Sequence, residues 1–175
     1  MKSDEELIEL ANRGDADAFE ALYYRYRDWV YRLAWRFTRS HQDALDVLQE
    51  TFSYLLRKFP GFELTASMTT FLYPVVKHTS FAVRRKSRRF GSDDELLDEI
   101  PAPAAKVTSR GELAAVLAVL SDQQREVLLM KYLDDMSLKE IAEALKIPTG
   151  TVKSRLYQAL KRLRDDRRTR DYFLE

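Results

Sequence analysis

The sequence contains no cysteine and only two histidines, His41 and His78, in 175 residues. These absences exclude a disulfide scaffold, a thiolate metal site, a cysteine nucleophile and a metal centre built from histidines. With only 5 Gly and 5 Pro, the chain is also poor in turn residues, which argues against an all-β fold. The longest apolar run, Leu113 to Leu120, has eight residues and is far too short to span a membrane.

The residues that are present predict a soluble, mostly helical protein. Hydrophobic residues make up 45% and charged residues 33% of the chain, which is typical of folded helical domains. The first residues, MKSDEELIEL, lack the apolar segment of a secretory signal peptide. We therefore expect a cytoplasmic protein that does not insert into membranes and needs no cofactor and no metal.

The formal net charge of +1 conceals an uneven distribution of charge along the chain. No Asp or Glu occurs between Glu63 and Asp93, whereas the same stretch is rich in basic residues. These basic residues are Lys77, Arg84, Arg85, Lys86, Arg88 and Arg89. Five basic residues within the six positions 84–89 exceed what a helix end requires to complement its dipole, so they favour contact with a polyanion.

The apolar periodicity predicts two small helical domains, residues 1–90 and 112–175, joined by a flexible acidic linker over residues 91–111. This linker combines five acidic residues with two prolines and shows no helical spacing. The acidic residues are Asp93, Asp94, Glu95, Asp98 and Glu99, and the prolines are Pro101 and Pro103. Domains of this size bury only a modest fraction of their surface, so we expect the protein to work on a larger partner.

In the first domain, apolar residues at helical spacing predict four helices. Ser3 with Glu6 has the pattern of a capping box ahead of the first helix, and the second begins after Asp15 or Asp17. The third helix is expected to begin near Asp43.

The fourth helix is expected from about Ser67 to Arg89, where Pro74 predicts a kink or a late start. In the second domain, two further capping-box patterns predict helices over about 122–132 and 138–145. These patterns are Ser121 with Gln124 and Ser137 with Glu140.

The segment LKEIAEALKIPTGTVKSRLYQALKRLR has the pattern of a helix-turn-helix motif. Pro148 ends its first helix and Thr149 is expected to cap the second, which runs from about Gly150 to Arg164. The polar face of this second helix suits a DNA major groove, with Arg and Gln for base edges and Lys, Ser and Thr for phosphates. Its candidate DNA-binding residues are Thr149, Thr151, Lys153, Ser154, Arg155, Gln158, Lys161 and Arg162.

An ordinary helical hairpin with a charged outer face is the alternative interpretation of this segment. The run from Thr149 to Arg155 argues for DNA, because short hydroxyl residues and a glycine at a helix start allow close approach to phosphates. Lys146 occupies the turn position where glycine is common, so a left-handed backbone there would cost some strain.

Two stretches of the chain resemble bacterial RNA polymerase sigma factors of the sigma-70 family. FEALYYRYRDWVYRLAWRFTRSHQDALDVLQETFSYLLRKF resembles region 2, with DALDVLQETF as its most specific part. LSDQQREVLLMKYLDDMSLKEIAEALKIPTGTVKSRLYQALKRLR resembles region 4. Their order and short linker resemble the extracytoplasmic-function (ECF) group over roughly residues 5–165. The resemblance implies a subunit that directs core RNA polymerase to promoters, and not an enzyme.

The resemblance also implies where this subunit meets its partners. In the family, the DALDVLQETF helix docks on the clamp helices of the polymerase β′ subunit and region 4 meets the β flap. The resemblance implies an anti-sigma factor as a further partner. The candidate polymerase-binding residues are Asp46, Gln49, Glu50 and Ser53. The apolar residues of the same helix are expected to be buried, namely Leu45, Leu48, Phe52 and Leu55.

The stretch from Phe62 to Arg89 corresponds to the part of the family that opens and reads the minus-ten element, where an extruded base stacks against protein. The candidate residues are Phe71, Lys77, His78, Arg84, Arg85 and Arg88. Phe71 stands where tryptophan is common, and an individual aromatic of this stretch also fits a core position. Leu64, Pro74 and His78 also depart from the family pattern, so the preferred minus-ten sequence stays open.

The sequence also allows two other interpretations. An autonomous operator-binding regulator could use the same helix-turn-helix, although such proteins usually dimerise and the chain shows no heptad seam. A sigma-like decoy that only binds an anti-sigma factor would have little use for the basic residues of the two candidate DNA-binding sets. Catalysis has the least support, because the adjacent carboxylates Asp134 and Asp135 lack a nearby base or a phosphate loop.

Overall fold

A computed structural model of the chain describes residues 2–89 and 116–166, without the side chains of residues 88 and 89. Over these residues the regular structure is entirely helical, which confirms the predicted fold class. The chain divides into two compact units, Met1–Asp98 and Glu99–Glu175. The acidic linker predicted over 91–111 lies outside the described residues, so its bounds stay a prediction. None of the described helices is long and apolar enough to cross a membrane.

The first unit is built from four helices. They are α1 (Asp4–Asn12), α2 (Ala16–Thr38), α3 (His41–Leu56) and α4 (Met68–Arg89). Helices α2, α3 and α4 pack against one another, and α1 packs on α2. Their shared core consists of large buried side chains that include Leu22, Val30, Leu33, Val47, Leu55, Leu72 and Val76.

The first helix is anchored to α2 through a partly buried polar contact. Ser3 and Glu6 form the expected capping box, which places Asp4 at the first helical position. The Asp4 carboxylate accepts hydrogen bonds from Arg25 and from the Tyr26 hydroxyl of α2. Burial and the hydrogen bond to Asp4 raise the pKa of Tyr26, so its hydroxyl stays protonated and remains a donor.

The structure decides which residue caps α2 and corrects the predicted starts of α3 and α4. Asp15, not Asp17, caps α2. Ser40 caps α3 by accepting a hydrogen bond from the Asp43 backbone N–H at 3.2 Å, so the prediction of a start at Asp43 was two residues late. The predicted late start of α4 is also wrong, because the helix begins at Met68 and runs through Pro74.

The buried face of α3 differs from the predicted stripe of large apolar residues. Phe52 and Leu55 are buried as predicted, whereas Leu45 is 38% exposed and Leu48 is half-buried. Smaller residues take the inward positions instead, namely Ala44, Val47 and Thr51. Because α3 packs against both α2 and α4, small side chains on its inner face allow these helices to approach closely. Leu45 and Leu48 therefore lie farther from the core.

One inward residue of α3 gives a stability prediction. Thr51 is fully buried, and its hydroxyl has no hydrogen-bond partner among the described residues. Replacing it by a methyl group in Thr51→Val should raise the free energy of unfolding by about 1 kcal/mol, because an unsatisfied buried hydroxyl is costly. Chemical denaturation of the full chain measures this change.

Thr38→Val is the matched control for Thr51→Val. Thr38 is also buried, but its hydroxyl lies within hydrogen-bond distance of the Ala34 carbonyl at 3.0 Å and the Ser40 carbonyl at 3.2 Å. The same substitution should therefore lower the free energy of unfolding there by about 1 kcal/mol. A loss of stability in both variants would contradict the prediction for Thr51.

Three helices of the second unit are described in full. They are α5 (Asp122–Tyr132), α6 (Leu138–Leu145) and α7 (Thr149–Asp165). Both predicted capping boxes form, and α5 and α6 have the predicted bounds. The helices enclose a core of buried residues that includes Val127, Met130, Met136, Ile141, Val152 and Ala159.

The turn between α6 and α7 differs from the predicted cap of α7 and has the predicted left-handed residue at Lys146. Thr149 does not cap α7; Pro148 occupies the N-cap position without a side-chain bond, and Thr149 is the first helical residue. Lys146 closes α6 with φ 54° and ψ 46°, the left-handed conformation expected where glycine is common. The proline and this turn together set the direction in which α7 leaves α6.

Candidate functional site

The four candidate polymerase-binding residues lie along one side of α3. Asp46, Gln49 and Glu50 are exposed and Ser53 is half-buried, and their spacing of three and four residues places them on neighbouring turns. Asp46 accepts a hydrogen bond at 3.3 Å from Gln42 on the preceding turn. We call these four residues the acidic ridge. Its two carboxylates lie at the surface, where they can meet basic groups of a partner.

An apolar groove of about 290 Å³ borders the acidic ridge. It is lined by Phe19, Tyr23, Leu45, Leu48, Gln49, Phe52, Ser53 and Leu56. Leu45 and Leu56 are 38% and 54% exposed, and Gln49 and Ser53 belong to both the ridge and the groove. The prediction that Leu45 is buried missed this groove. Apolar surface edged by carboxylates is suited to a protein partner that combines apolar and basic residues.

The basic end of α4 presents an exposed stripe that includes an aromatic residue. His78, Phe81 and Arg85 are all exposed and follow one another at helical spacing on one side of the helix. Phe81 is 51% exposed and was not among the predicted residues. Its spacing from His78 and Arg85 was the signal that could have identified it. Positive charge together with a ring for stacking is a combination that suits a single nucleic-acid strand.

The other candidate residues of α4 are less accessible than Arg85. Arg84 is half-buried, and its Nη1 donates to the Phe37 carbonyl at 3.0 Å. This bond satisfies one of the carbonyl groups left without a partner at the end of α2, so Arg84 joins the two helices. Lys77 is half-buried, and the side chain of Arg88 lies outside the described residues.

Phe71 belongs to a cluster of aromatic rings. Its ring centroid lies 4.9 Å from that of Phe62 and 6.4 Å from that of Tyr54, to which it is nearly parallel. Phe71 is half-buried, whereas Phe62 is buried in the loop between α3 and α4. Phe71 therefore packs against its own chain with part of its ring still accessible.

The loop that carries Phe62 is held by a residue from the first helix. The Asn12 Oδ1 accepts from the backbone N–H groups of Gly61 at 2.7 Å and Phe62 at 2.9 Å. Its Nδ2 donates to the Phe62 carbonyl at 2.9 Å. Gly61 has φ +98°, a conformation that favours glycine. Sequence reasoning missed Asn12, because its partners lie about 50 residues away along the chain.

The outer surface of α7 brings most of the candidate DNA-binding residues together. The exposed ones are Thr149, Lys153, Ser154, Gln158, Lys161 and Arg162. Thr151 and Arg155 are half-buried and lie nearer the core. Tyr157 is 69% exposed and was missed, although its spacing from Ser154 and Lys161 puts it on the same side of the helix.

Two of the exposed residues of α7 also contact α5. Gln124 of α5 is buried, and its Nε2 donates to Gln158 Oε1 at 3.2 Å. The Arg162 Nη1 donates to Gln124 Oε1 at 3.3 Å. Gln158 and Arg162 are therefore held on the side of α7 that faces α5.

Comparisons with known proteins match two separate parts of the chain to known families. The family model for Sigma-70 region 2 matches residues 22–90, and the model for Sigma-70, region 4, matches residues 110–163. The chain is 30% identical over 173 residues to the ECF RNA polymerase sigma factor SigW of Bacillus subtilis (strain 168). This alignment covers 90% of the chain and 92% of SigW.

Two solved structures share the fold. One is CnrH in complex with the cytosolic domain of CnrY, with a TM-score of 0.68, 21% identity, and coverage of 93% of this chain and 95% of that chain. The other is the sigma factor RpoE in complex with the anti-sigma factor NepR from Bartonella quintana, with a TM-score of 0.63 and 22% identity. It covers 84% of this chain and 94% of that chain.

Proposed function

The chain belongs to the ECF RNA polymerase sigma factors, and from this premise we propose which of its surfaces meet RNA polymerase and promoter DNA. A sigma factor binds core RNA polymerase and directs promoter-specific transcription initiation, so the chain is an initiation factor and not an enzyme. A protein with this role works in the cytoplasm. Similarity over nearly the full length of a sigma factor favours this function over an autonomous operator-binding regulator or a decoy.

We assign the acidic ridge and its groove to the clamp helices of the polymerase β′ subunit. Asp46 and Glu50 supply exposed negative charge, and the groove supplies accessible apolar surface beside it. Complementary charge accelerates association and excludes wrong partners, whereas apolar burial contributes affinity.

We assign the exposed stripe of α4 to the minus-ten element. Arg85 carries the charge for phosphates, and Phe81 offers a ring on which an unstacked base can lie. Phe71, Lys77 and Arg84 are less exposed, so we expect them to contribute mainly by supporting this surface.

We assign α7 to the minus-thirty-five element. Lys153, Ser154 and Lys161 are exposed side chains that suit phosphates, while Gln158 has the chemistry to contact a base edge. Tyr157 joins this surface as an additional contact. The second unit also exposes Tyr132 and Leu133 at the end of α5, by 63% and 64%, which is apolar surface that we assign to the β flap.

An anti-sigma factor is a further proposed partner. RpoE, which shares the fold, was solved in complex with the anti-sigma factor NepR. The exposed groove on the first unit provides a surface on which such a protein could compete with polymerase.

The observation that carries the proposed function is the presence of both sigma regions in one chain. In vitro transcription with core polymerase and a pool of genomic promoters tests it. We expect the chain to produce discrete start sites that core polymerase alone does not use. Unchanged start sites, with DNA binding that does not need polymerase, would instead identify an operator-binding regulator.

A further inference from the structure

We propose that Gln124, a buried residue of α5, determines which hydrogen-bonding group Gln158 presents to DNA. This inference rests on the proposed function, in which α7 reads the minus-thirty-five element. Gln124 does not itself reach DNA in this arrangement, so it is a positioning residue that acts through Gln158.

Gln124 is only 6% exposed and makes three side-chain hydrogen bonds. Its Oε1 accepts from the Ser121 backbone N–H at 3.2 Å, which completes the capping box of α5. The same oxygen accepts from Arg162 Nη1 at 3.3 Å. Its Nε2 donates to Gln158 Oε1 at 3.2 Å. Both ends of the Gln124 amide are therefore engaged.

The chemistry of these partners fixes the orientation of both amides. A backbone N–H and a guanidinium can only donate, so the Gln124 atom that meets Ser121 and Arg162 must be the oxygen. The other end of Gln124 is then the nitrogen, which requires an acceptor. The Gln158 atom that accepts from this nitrogen must be the Gln158 oxygen. The Nε2 of Gln158, with its two N–H groups, is therefore on the exposed side.

An amide that offers its N–H groups selects bases by their acceptors. Guanine presents two acceptors in the major groove, N7 and O6, whereas adenine presents one acceptor and one amino donor, and cytosine presents an amino donor. A bidentate contact with adenine would need the second lone pair of the Gln158 oxygen, because the first already accepts from Gln124, whereas a contact with guanine uses only the exposed N–H groups. The structure therefore assigns Gln158 a preference for guanine over adenine and cytosine.

Gln124→Glu tests this assignment because a carboxylate can only accept. It retains the acceptor for Ser121 and Arg162, and Glu is a standard partner in a capping box. Facing Gln158, however, the carboxylate requires a donor, so Gln158 must turn its Nε2 inward and present its oxygen. We expect the preference at this base pair to move from guanine to adenine or cytosine, with about a tenfold change in the binding ratio.

The measurement uses holoenzyme assembled from the full chain and a promoter library randomised in the minus-thirty-five element. Gln158→Ala first identifies the base pair by loss of preference there. Gln124→Leu is the second variant; it removes both hydrogen-bonding ends, so Gln158 can turn freely and the discrimination between guanine and adenine should disappear. Melting temperatures of both Gln124 variants check that the second unit stays folded.

The outcomes separate this inference from the proposed function. If Gln158→Ala changes no base preference, α7 does not read DNA through Gln158 and both assignments fail at that residue. If Gln158→Ala relaxes one position while folded Gln124→Glu and Gln124→Leu retain the preference for guanine, the role of Gln124 is overturned and reading by α7 stands. A shift in Gln124→Glu together with lost discrimination in Gln124→Leu supports the proposal.

Discussion

Reversing the charges of the acidic ridge in an Asp46→Lys/Glu50→Lys variant should abolish binding to core RNA polymerase and leave the fold intact. Both side chains are exposed on α3, where substitutions usually change stability by less than about 0.5 kcal/mol. Like charges brought together in an interface cost several kcal/mol, which corresponds to roughly a thousandfold loss of affinity. Binding to labelled core polymerase and thermal melting measure the two effects separately.

The first helix offers a matched control for this double variant. Glu5 and Glu9 are exposed and have the same spacing of four residues, so Glu5→Lys/Glu9→Lys changes the charge of the chain equally. We expect it to bind polymerase nearly as well as the unmodified protein. An equal loss in both variants would show that overall charge, not the ridge, governs binding, and no loss in either would remove the ridge from the interface.

Replacing Asn12 by alanine should have the second large effect, on promoter opening. The substitution removes three hydrogen bonds to Gly61 and Phe62 and leaves two backbone donors and one acceptor without their partner. At about 1 kcal/mol per bond, the loop between α3 and α4 loses about 3 kcal/mol of stabilisation. Since Phe62 of this loop packs on Phe71, we expect the surface that faces the minus-ten element to lose its order.

Permanganate footprinting at equal promoter occupancy separates opening from recruitment. We expect thymine reactivity in the minus-ten element to fall about tenfold in Asn12→Ala. A tenfold fall corresponds to about 1.4 kcal/mol, which is less than the stabilisation that the loop loses. Asn12→Asp should be intermediate, because it can accept from both N–H groups but cannot donate to the Phe62 carbonyl.

The control for Asn12 lies at the other end of the same helix. Ser3→Ala removes the cap of α1 and costs about 1 kcal/mol without touching the loop. It should melt earlier and still open the promoter normally. If Ser3→Ala reduced thymine reactivity as much as Asn12→Ala, the effect would come from the stability of α1, and the loop would have no special part in opening.

The sequence by itself determined the helical class, the kind of protein and most helix bounds. The reason is that these features depend on residues close together in the chain. In a capping box the two hydrogen bonds join residues three positions apart, so Ser121 and Ser137 marked the starts of α5 and α6 correctly. The acidic ridge and the exposed side of α7 follow from the helical repeat in the same way, although the same repeat did not lead us to Tyr157 or Phe81.

Only the tertiary structure decided which side chains are exposed and which contacts the polar ones make. Leu45 faces a groove because α3 packs against both α2 and α4 through its small residues. Which face of α3 is buried therefore depends on the neighbouring helices and not on hydrophobicity alone. Arg84 donates to a carbonyl at the end of α2, Asn12 makes hydrogen bonds to the loop at Phe62, and Gln124 makes one to Gln158. These hydrogen bonds join residues 47, 50 and 34 positions apart. No local pattern contains such pairs, because they exist only after the helices have packed.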